Sequence, residues 1–184
     1  ERLIKWLEFF NLSGNDGGLV STQGFVDYLL EVMGKTRFDE LEIPLKIIAT
    51  DFWERKQVVF RHGELGPAIA ASMAIPGVFA PVQHGGRVLV DGGLVRNLPV
   101  DVVRDLGAEV VIAVNVGTPL RTATEISNAL TIVEQMTSLA IVANTDASVQ
   151  ALTGEDVLIT PQLGNDITSA SFDSFTDAFA LGYA

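Results

Sequence analysis

Residues 87–93 have the sequence Arg-Val-Leu-Val-Asp-Gly-Gly, in which a short apolar strand ends in one carboxylate and two glycines. Many α/β enzymes keep their chemistry at such strand ends, because a strand holds a side chain rigidly. The glycines let backbone or substrate approach closely, and they tolerate positive φ where the chain turns away. Asp-Gly is also a common turn signal, so the segment alone is more often a loop than an active site. Whether Asp91 is a catalytic residue or part of a turn therefore has to be judged from the sequence around it.

The composition describes a folded, acidic protein. The chain has 184 residues, 48% of them hydrophobic, which is enough for a core and for one domain. It carries 12 Lys and Arg against 23 Asp and Glu, a formal charge of −11, so we predict no nucleic-acid partner. The absence of cysteine excludes thiolate nucleophiles, disulfides and cysteine-ligated metals. No apolar run approaches the ~20 residues of a membrane helix, which predicts a soluble protein or one peripheral to a membrane.

The first half of the sequence predicts two helices and one pair of strands. Ser21 is placed to cap a helix through Phe25 that ends at Gly34. Two strand-like segments, 45–50 and 57–60, flank a polar segment, which predicts an antiparallel pair. Pro67 suits the first turn of a helix over 68–73.

The second half alternates helices and strands. Pro99 opens a predicted helix that ends at Gly107, and 109–114 is an apolar strand of the kind buried on both faces of a sheet. Thr122 to Glu125 has capping-box spacing and predicts the start of a long helix. A last strand over 156–159 and a terminal helix capped by Ser171 follow. This order predicts a layered α/β fold with a largely parallel sheet.

Several short motifs follow one another in an order more specific than any one of them. They are Ile43-Pro44, Ala49-Thr50-Asp51, Ala71-Ser72-Met73-Ala74-Ile75-Pro76, Phe79, Pro81-Val82, Asp91-Gly92-Gly93 and Asn97-Leu98-Pro99. This series resembles the patatin-like phospholipase family in its bacterial branch, from about Gly18 to the C-terminus.

The resemblance implies a three-layer α/β fold with helices on both faces of the sheet. It also implies hydrolysis of acyl esters by a serine on a Gly-x-Ser-x-Gly elbow and an aspartate on an Asp-Gly-Gly turn, with no catalytic histidine, metal or organic cofactor. Asp91 is then the dyad aspartate, which orients the serine hydroxyl and takes its proton. Gly92, Gly93 and Asn97 support the site loop, and Asn97 is also a candidate device at the next helix N-terminus.

The serine of the dyad is missing from this sequence. None of the nine serines lies in Gly-x-Ser-x-Gly, and the family's glycine-rich oxyanion turn is absent too. We therefore expect residues 1–184 to be the C-terminal part of a single acyl hydrolase domain, with the N-terminal part required to complete the sheet. Alone, the chain is expected to be inactive. Its expected partner is the rest of the protein as a separate chain, or a second copy as a homodimer mate.

Three other residues are weighed as candidates. Ser72 follows two alanines in a short helix without elbow glycines, so packing is favoured over a nucleophilic role. A Ser-His-Asp triad with His84 and Asp91 is an alternative that the resemblance disfavours. Asp51 also ends a strand, and for this residue a structural turn or capping role is favoured.

The leading hypothesis is a lipid acyl hydrolase that acts on phospholipids or other acyl-lipid esters, with peripheral contact to membranes. The alternative is a non-catalytic patatin-like module kept for interaction or scaffolding. A nucleotide-binding domain is disfavoured because no glycine-rich phosphate motif follows a strand. The resemblance leaves the compartment open between the cytoplasm, which we favour, and export to the cell surface.

Overall fold

A computed structural model of the chain describes residues 22–117, 120–163 and 174–183. The contacts of the chain separate into two units, residues 1–97 and 98–184. Within the described ranges, every helix is too short or too polar to cross a lipid bilayer.

Two helices of the first unit agree with the predictions. Helix α1 spans Gln23–Met33 and ends at Gly34, whose φ of 61° is left-handed. Glycine is favoured there because it has no Cβ to clash, and its N–H donates to the carbonyl of Leu30 at 2.9 Å. Helix α2 spans Leu65–Ser72, with Pro67 in its first turn, as predicted. The predicted cap Ser21 lies outside the described residues.

Four strands form one antiparallel sheet in the first unit. They are β1 (Ile47–Asp51), β2 (Lys56–Phe60), β3 (Val82–His84) and β4 (Arg87–Asp91), in the order β2-β1-β4-β3. The predicted antiparallel pair of β1 and β2 is confirmed. Strand β4 lies antiparallel to both β1 and β3, so the largely parallel pairing predicted from alternation does not describe this sheet.

Both faces of this sheet carry buried side chains. Ala49 of β1 and Leu89 of β4 point to one face, where they pack with Ala71 of helix α2. Val90 alternates to the opposite face and is also buried. Burial of each such Leu or Val stabilises the fold by about 1.5–3 kcal/mol, so the central pair β1–β4 is firmly held. A short helix α3 (Gly93–Arg96) follows β4 directly.

The described residues of the second unit form three α-helices and one parallel strand pair. They are α4 (Val100–Asp105), β5 (Ile112–Val114), α5 (Ala129–Gln150), β6 (Val157–Ile159) and α6 (Phe175–Tyr183). Strands β5 and β6 pair in parallel, so the α/β class is confirmed and the parallel pairing is found here. The predicted cap Ser171 of the terminal helix lies outside the described residues.

Strand β5 is shorter than predicted, and only one of its faces is covered. Ala113 is 5% exposed and packs with Val111 and Leu98, whereas Ile112 is 67% exposed and Val114 48%. Burial on both faces was therefore a wrong prediction for this chain. The cause is that the side chains alternate in direction along the strand and the described elements pack only on the Ala113 side.

The start of the long helix also differs from the prediction. The predicted capping box forms, since Glu125 accepts hydrogen bonds from the N–H and the hydroxyl of Thr122, both at 2.7 Å. It closes only a 3₁₀ turn over Ala123–Glu125. Helix α5 begins at Ala129, because the side chain of Asn128 accepts from the N–H of Thr131 at 3.0 Å.

A buried carboxylate that we did not single out joins three elements of the second unit. The side chain of Asp156 accepts from the N–H of Thr153 at 2.7 Å and from the N–H of Val111 at 2.8 Å. It also forms an ion pair with Arg104 of α4. These backbone donors, with help from the Thr153 hydroxyl and Arg104, hold the pKa of that carboxyl well below its usual range. Asp156 therefore ties the beginnings of β5 and β6 to each other and to α4.

Candidate functional site around Asp91

The backbone of Asp91 is fixed on both sides by hydrogen bonds. Asp91 ends β4 opposite Ala49 of β1, and its N–H donates to the carbonyl of Ala74 at 3.0 Å. Its own carbonyl accepts from the hydroxyl of Thr50 at 2.8 Å. The Thr50 contact joins residues 41 positions apart, and no sequence pattern signals it. The carboxylate therefore stands on a rigid support at the centre of the sheet.

The carboxylate of Asp91 is half-buried and sparsely bonded. Its Oδ1 accepts from the N–H of Gly93 at 2.8 Å, while Oδ2 accepts no hydrogen bond from any described residue. Burial raises the pKa of Asp91, and the Gly93 N–H partly offsets that rise. A carboxylate with a raised pKa is a better proton acceptor than an ordinary one. The geometry leaves Oδ2 available for a hydroxyl donor.

Glycine is required at position 92 because a side chain would clash there, and not because the backbone adopts an unusual angle. Its φ of −62° and ψ of −28° are helical, so the positive φ expected for the turn does not occur there. A Cβ at this position would stand 2.2 Å from the carbonyl oxygen of Ile48 and 2.6 Å from its carbon. The Asp-Gly-Gly segment is thus the entry to α3, pressed against β1, and Gly93 is buried at the start of that helix.

Arg96 and Asn97 complete this segment. The Nε of Arg96 donates to the side-chain oxygen of Gln57 at 3.3 Å, which ties α3 to β2. Asn97 follows α3 as its C-terminal cap residue, in a helical conformation. The next helix, α4, has Pro99 as its N-cap residue, so Asn97 is not that cap, and any other role of Asn97 at that N-terminus stays a prediction. Support of the site loop by Asn97 stays a prediction.

Asp51 has the structural role that the sequence favoured. Its side chain is buried, and Oδ1 accepts from the N–H groups of Trp53 and Glu54 at 3.1 and 3.0 Å. Its Oδ2 lies 3.6 Å from the Nε of Arg87. Oδ1 therefore holds the turn that joins β1 to β2, and Oδ2 faces the start of β4.

The alternative triad of His84 and Asp91 is not formed. His84 pairs with Arg87, and Asp91 lies four residues further along β4. At about 3.4 Å per residue, the separation along the strand is roughly 14 Å. The ring of His84 instead meets the ring of Phe60 edge to face, with centroids 5.3 Å apart.

Ser72 lies in the short helix predicted for it, as the last residue of α2, and is half-buried. Two residues later the carbonyl of Ala74 accepts the N–H of Asp91, so this segment supports the base of the site. The packing role of Ser72 stays a prediction.

Comparison with known proteins finds one family model and several relatives with related names. The model of the family described as patatin-like phospholipase matches residues 1–104, which include Asp91. An uncharacterized NTE family protein of Mycobacterium tuberculosis is 36% identical over 109 residues, which are 59% of this chain and 30% of the relative. Patatin-like phospholipase domain-containing protein 7 of Mus musculus is 34% identical over 112 residues, 60% of this chain and 8% of the relative. The neuropathy target esterase sws of Drosophila melanogaster is 30% identical over 120 residues, 64% of this chain and 8% of the relative. The matched segment therefore spans less than a third of each of these relatives.

Proposed function

Because this chain belongs to the patatin-like phospholipase family, we propose that the protein containing it is a lipid acyl hydrolase in which Asp91 is the acid–base partner of a serine. The observation that carries the proposal is the carboxylate itself. It is rigidly held and half-buried, its pKa is raised, and Oδ2 has no donor among the described residues. The names of the relatives, a phospholipase-domain protein and an esterase, support hydrolysis of acyl-lipid esters.

The proposed chemistry uses Asp91 twice. Oδ2 takes the proton of the serine hydroxyl as the oxygen attacks the ester carbonyl carbon, and the protonated Asp91 then gives that proton to the departing alcohol. In the second half, Asp91 takes a proton from a water molecule as the water attacks the acyl-serine carbonyl, and returns that proton to the serine oxygen as the fatty acid departs. None of the nine serines of this chain lies in Gly-x-Ser-x-Gly, so the nucleophile is proposed to lie in another part of the protein.

The pH dependence of hydrolysis tests this role. Asp91 must be ionised to accept the serine proton, and burial raises its pKa above the ordinary 3.8. We expect the intact protein to release fatty acid from phosphatidylcholine, with the acid limb of kcat/KM above pH 3.8. No hydrolysis of phospholipid or p-nitrophenyl acyl esters at any pH would favour the non-catalytic scaffold instead. Hydrolysis with an acid limb at or below that pH would contradict an acid–base role for Asp91.

We also propose that the outer face of the β5–β6 pair is covered in the working protein, by the rest of the protein or by a second copy. Four β-branched side chains point to this face, and all are at least 41% exposed: Ile112, Val114, Val157 and Ile159. Such a continuous apolar face is unusual on a monomer. We expect the isolated 184-residue chain to run above 19.7 kDa in light scattering, and a monodisperse monomer would contradict the proposal.

A further inference from the structure

Two turns meet at one end of the four-stranded sheet. Strand β1 runs into the turn 52–55, and β3 runs into the turn 85–86. Both turns lie at the end of the sheet where β4 begins. Asp51, the last residue of β1, pairs with Leu89 near the start of β4, and His84, the last residue of β3, pairs with Arg87, the first residue of β4. The N–H of Phe52 donates to the carbonyl of Val88 at 2.9 Å and joins the turn 52–55 to the start of β4. We call residues 52–56 and 84–87 the hairpin end.

The hairpin end presents two aromatic side chains to solvent. Trp53 is 72% exposed and Phe52 47%. Their rings meet edge to face with centroids 5.0 Å apart, so they form one apolar knob. Tryptophan is among the residues most enriched where a protein meets the boundary of a lipid bilayer, since its ring is apolar and its N–H is polar.

The charge of the hairpin end is opposite to that of the chain. Arg55, Lys56 and Arg87 are exposed there, Glu54 is the one exposed acid within these two segments, and Arg87 is paired with the neighbouring Asp51, which leaves Arg55 and Lys56 as the cations used below. The whole chain carries a formal charge of −11, so a local excess of cations is a departure from the average. Each Lys or Arg near an anionic lipid surface contributes about 1 kcal/mol to binding.

The backbone of Arg55 gives an independent reason to assign a role to this turn. Its φ is 56°, and it is the one non-glycine residue with positive φ in the described part of the chain. An arginine in this conformation costs about 1 kcal/mol that a glycine would not. Such strain at an exposed turn is expected where the side chain is used.

We propose that the hairpin end docks on an anionic lipid surface, with Trp53 and Phe52 in the interface and Arg55 and Lys56 against the headgroups. This goes beyond the catalytic role of Asp91. It is tested by binding alone, on ether-linked lipids that contain no acyl ester, so failure of docking and failure of hydrolysis give separate results.

The experiment measures co-sedimentation of the intact protein with vesicles. We expect binding to ether-linked phosphatidylcholine vesicles that contain about 30% of the anionic phosphatidylglycerol analogue, and weaker binding without it, because the cations require a negative surface. Arg55→Gln should weaken binding about fivefold and Trp53→Ala about tenfold. Matched controls at the other end of the sheet are Arg61→Gln and Ile43→Ala, which also remove an exposed cation and an 81% exposed apolar side chain and should leave binding unchanged.

One further variant separates binding from folding. Arg55→Gly removes the charge and relieves the positive φ, so the melting temperature should stay the same or rise while vesicle binding falls about fivefold. Equal binding by Trp53→Ala and the parent protein would overturn the proposal. So would an absence of vesicle binding, or a concentration-dependent dimer that is lost in the hairpin-end variants, which would assign this surface to a second copy.

Discussion

Replacement of Asp91 by asparagine in the intact protein is expected to lower kcat for an acyl ester about 10³-fold. The Oδ1 of asparagine can still accept the N–H of Gly93, which lies 2.8 Å from Oδ1 in the parent chain. The amide cannot take a proton from a serine hydroxyl. Burial disfavours the charged form of Asp91, so the neutral amide should not lower the stability of the fold. The loss should therefore appear in kcat and not in the melting temperature.

Asp51→Asn is the matched control for this substitution. Asp51 is a carboxylate on the neighbouring strand, and its Oδ1 accepts the N–H groups of Trp53 and Glu54. Asparagine keeps that acceptor and loses only the 3.6 Å ion pair with the 57% exposed Arg87, which is worth less than about 1 kcal/mol. We expect kcat within about threefold of the parent protein, since no proton transfer is removed. Equal losses in both variants would mean that Asp91 is structural.

Gly92→Ala is expected to produce the largest loss of stability. The added Cβ would lie 2.2 Å from the carbonyl oxygen of Ile48, a backbone atom that can move only if β1 and β4 separate. The free energy of unfolding should fall by more than about 3 kcal/mol. The melting temperature should fall by roughly 10 °C. Asp91 would be displaced at the same time, because it is bonded to the same pair of strands.

Gly66→Ala is the matched control, because it adds the same methyl group at a position where the new Cβ meets no clash. A Cβ at Gly66 would lie 3.5 Å from Leu30 and 3.6 Å from Val26, which is ordinary contact with side-chain atoms. Gly66 lies in helix α2, where alanine is preferred by about 1 kcal/mol, so stability should stay the same or rise. If both variants melted at the parent temperature, close packing at Gly92 would be refuted.

Local patterns in the sequence predicted most helices and strands. They did not predict how most of the strands pair. Gly34 predicted the end of α1 because a left-handed residue is a local property, and Asp91 at a strand end followed from its neighbours. The place of β4 between β1 and β3 depends on contacts distant in sequence. One local signal was overlooked. Gly85 and Gly86, with φ of 58° and 76°, join β3 to β4 in a tight hairpin.

The site shows the same division between local and distant information. The carboxylate and the glycines of the Asp-Gly-Gly segment were identified from the sequence. Two features were not: the hydroxyl of Thr50 that holds the Asp91 carbonyl, and the approach of Ile48 that excludes any side chain at 92. Both depend on the register of β1 against β4, which is set by the packing of the whole sheet. Where two local signals competed, as Thr122 and Asn128 did for the start of α5, both caps formed and the α-helix began at the second.

Covalent labelling of the intact protein by a fluorophosphonate tests the pairing of Asp91 with a serine, because the probe reacts preferentially with an activated serine. We expect that one serine outside these 184 residues, on a Gly-x-Ser-x-Gly peptide, is labelled. Its labelling rate should fall at least about 100-fold in Asp91→Asn and stay unchanged in Asp51→Asn. Labelling of Asp91→Asn at the parent rate would contradict the role of Asp91 as the acid–base partner of that serine.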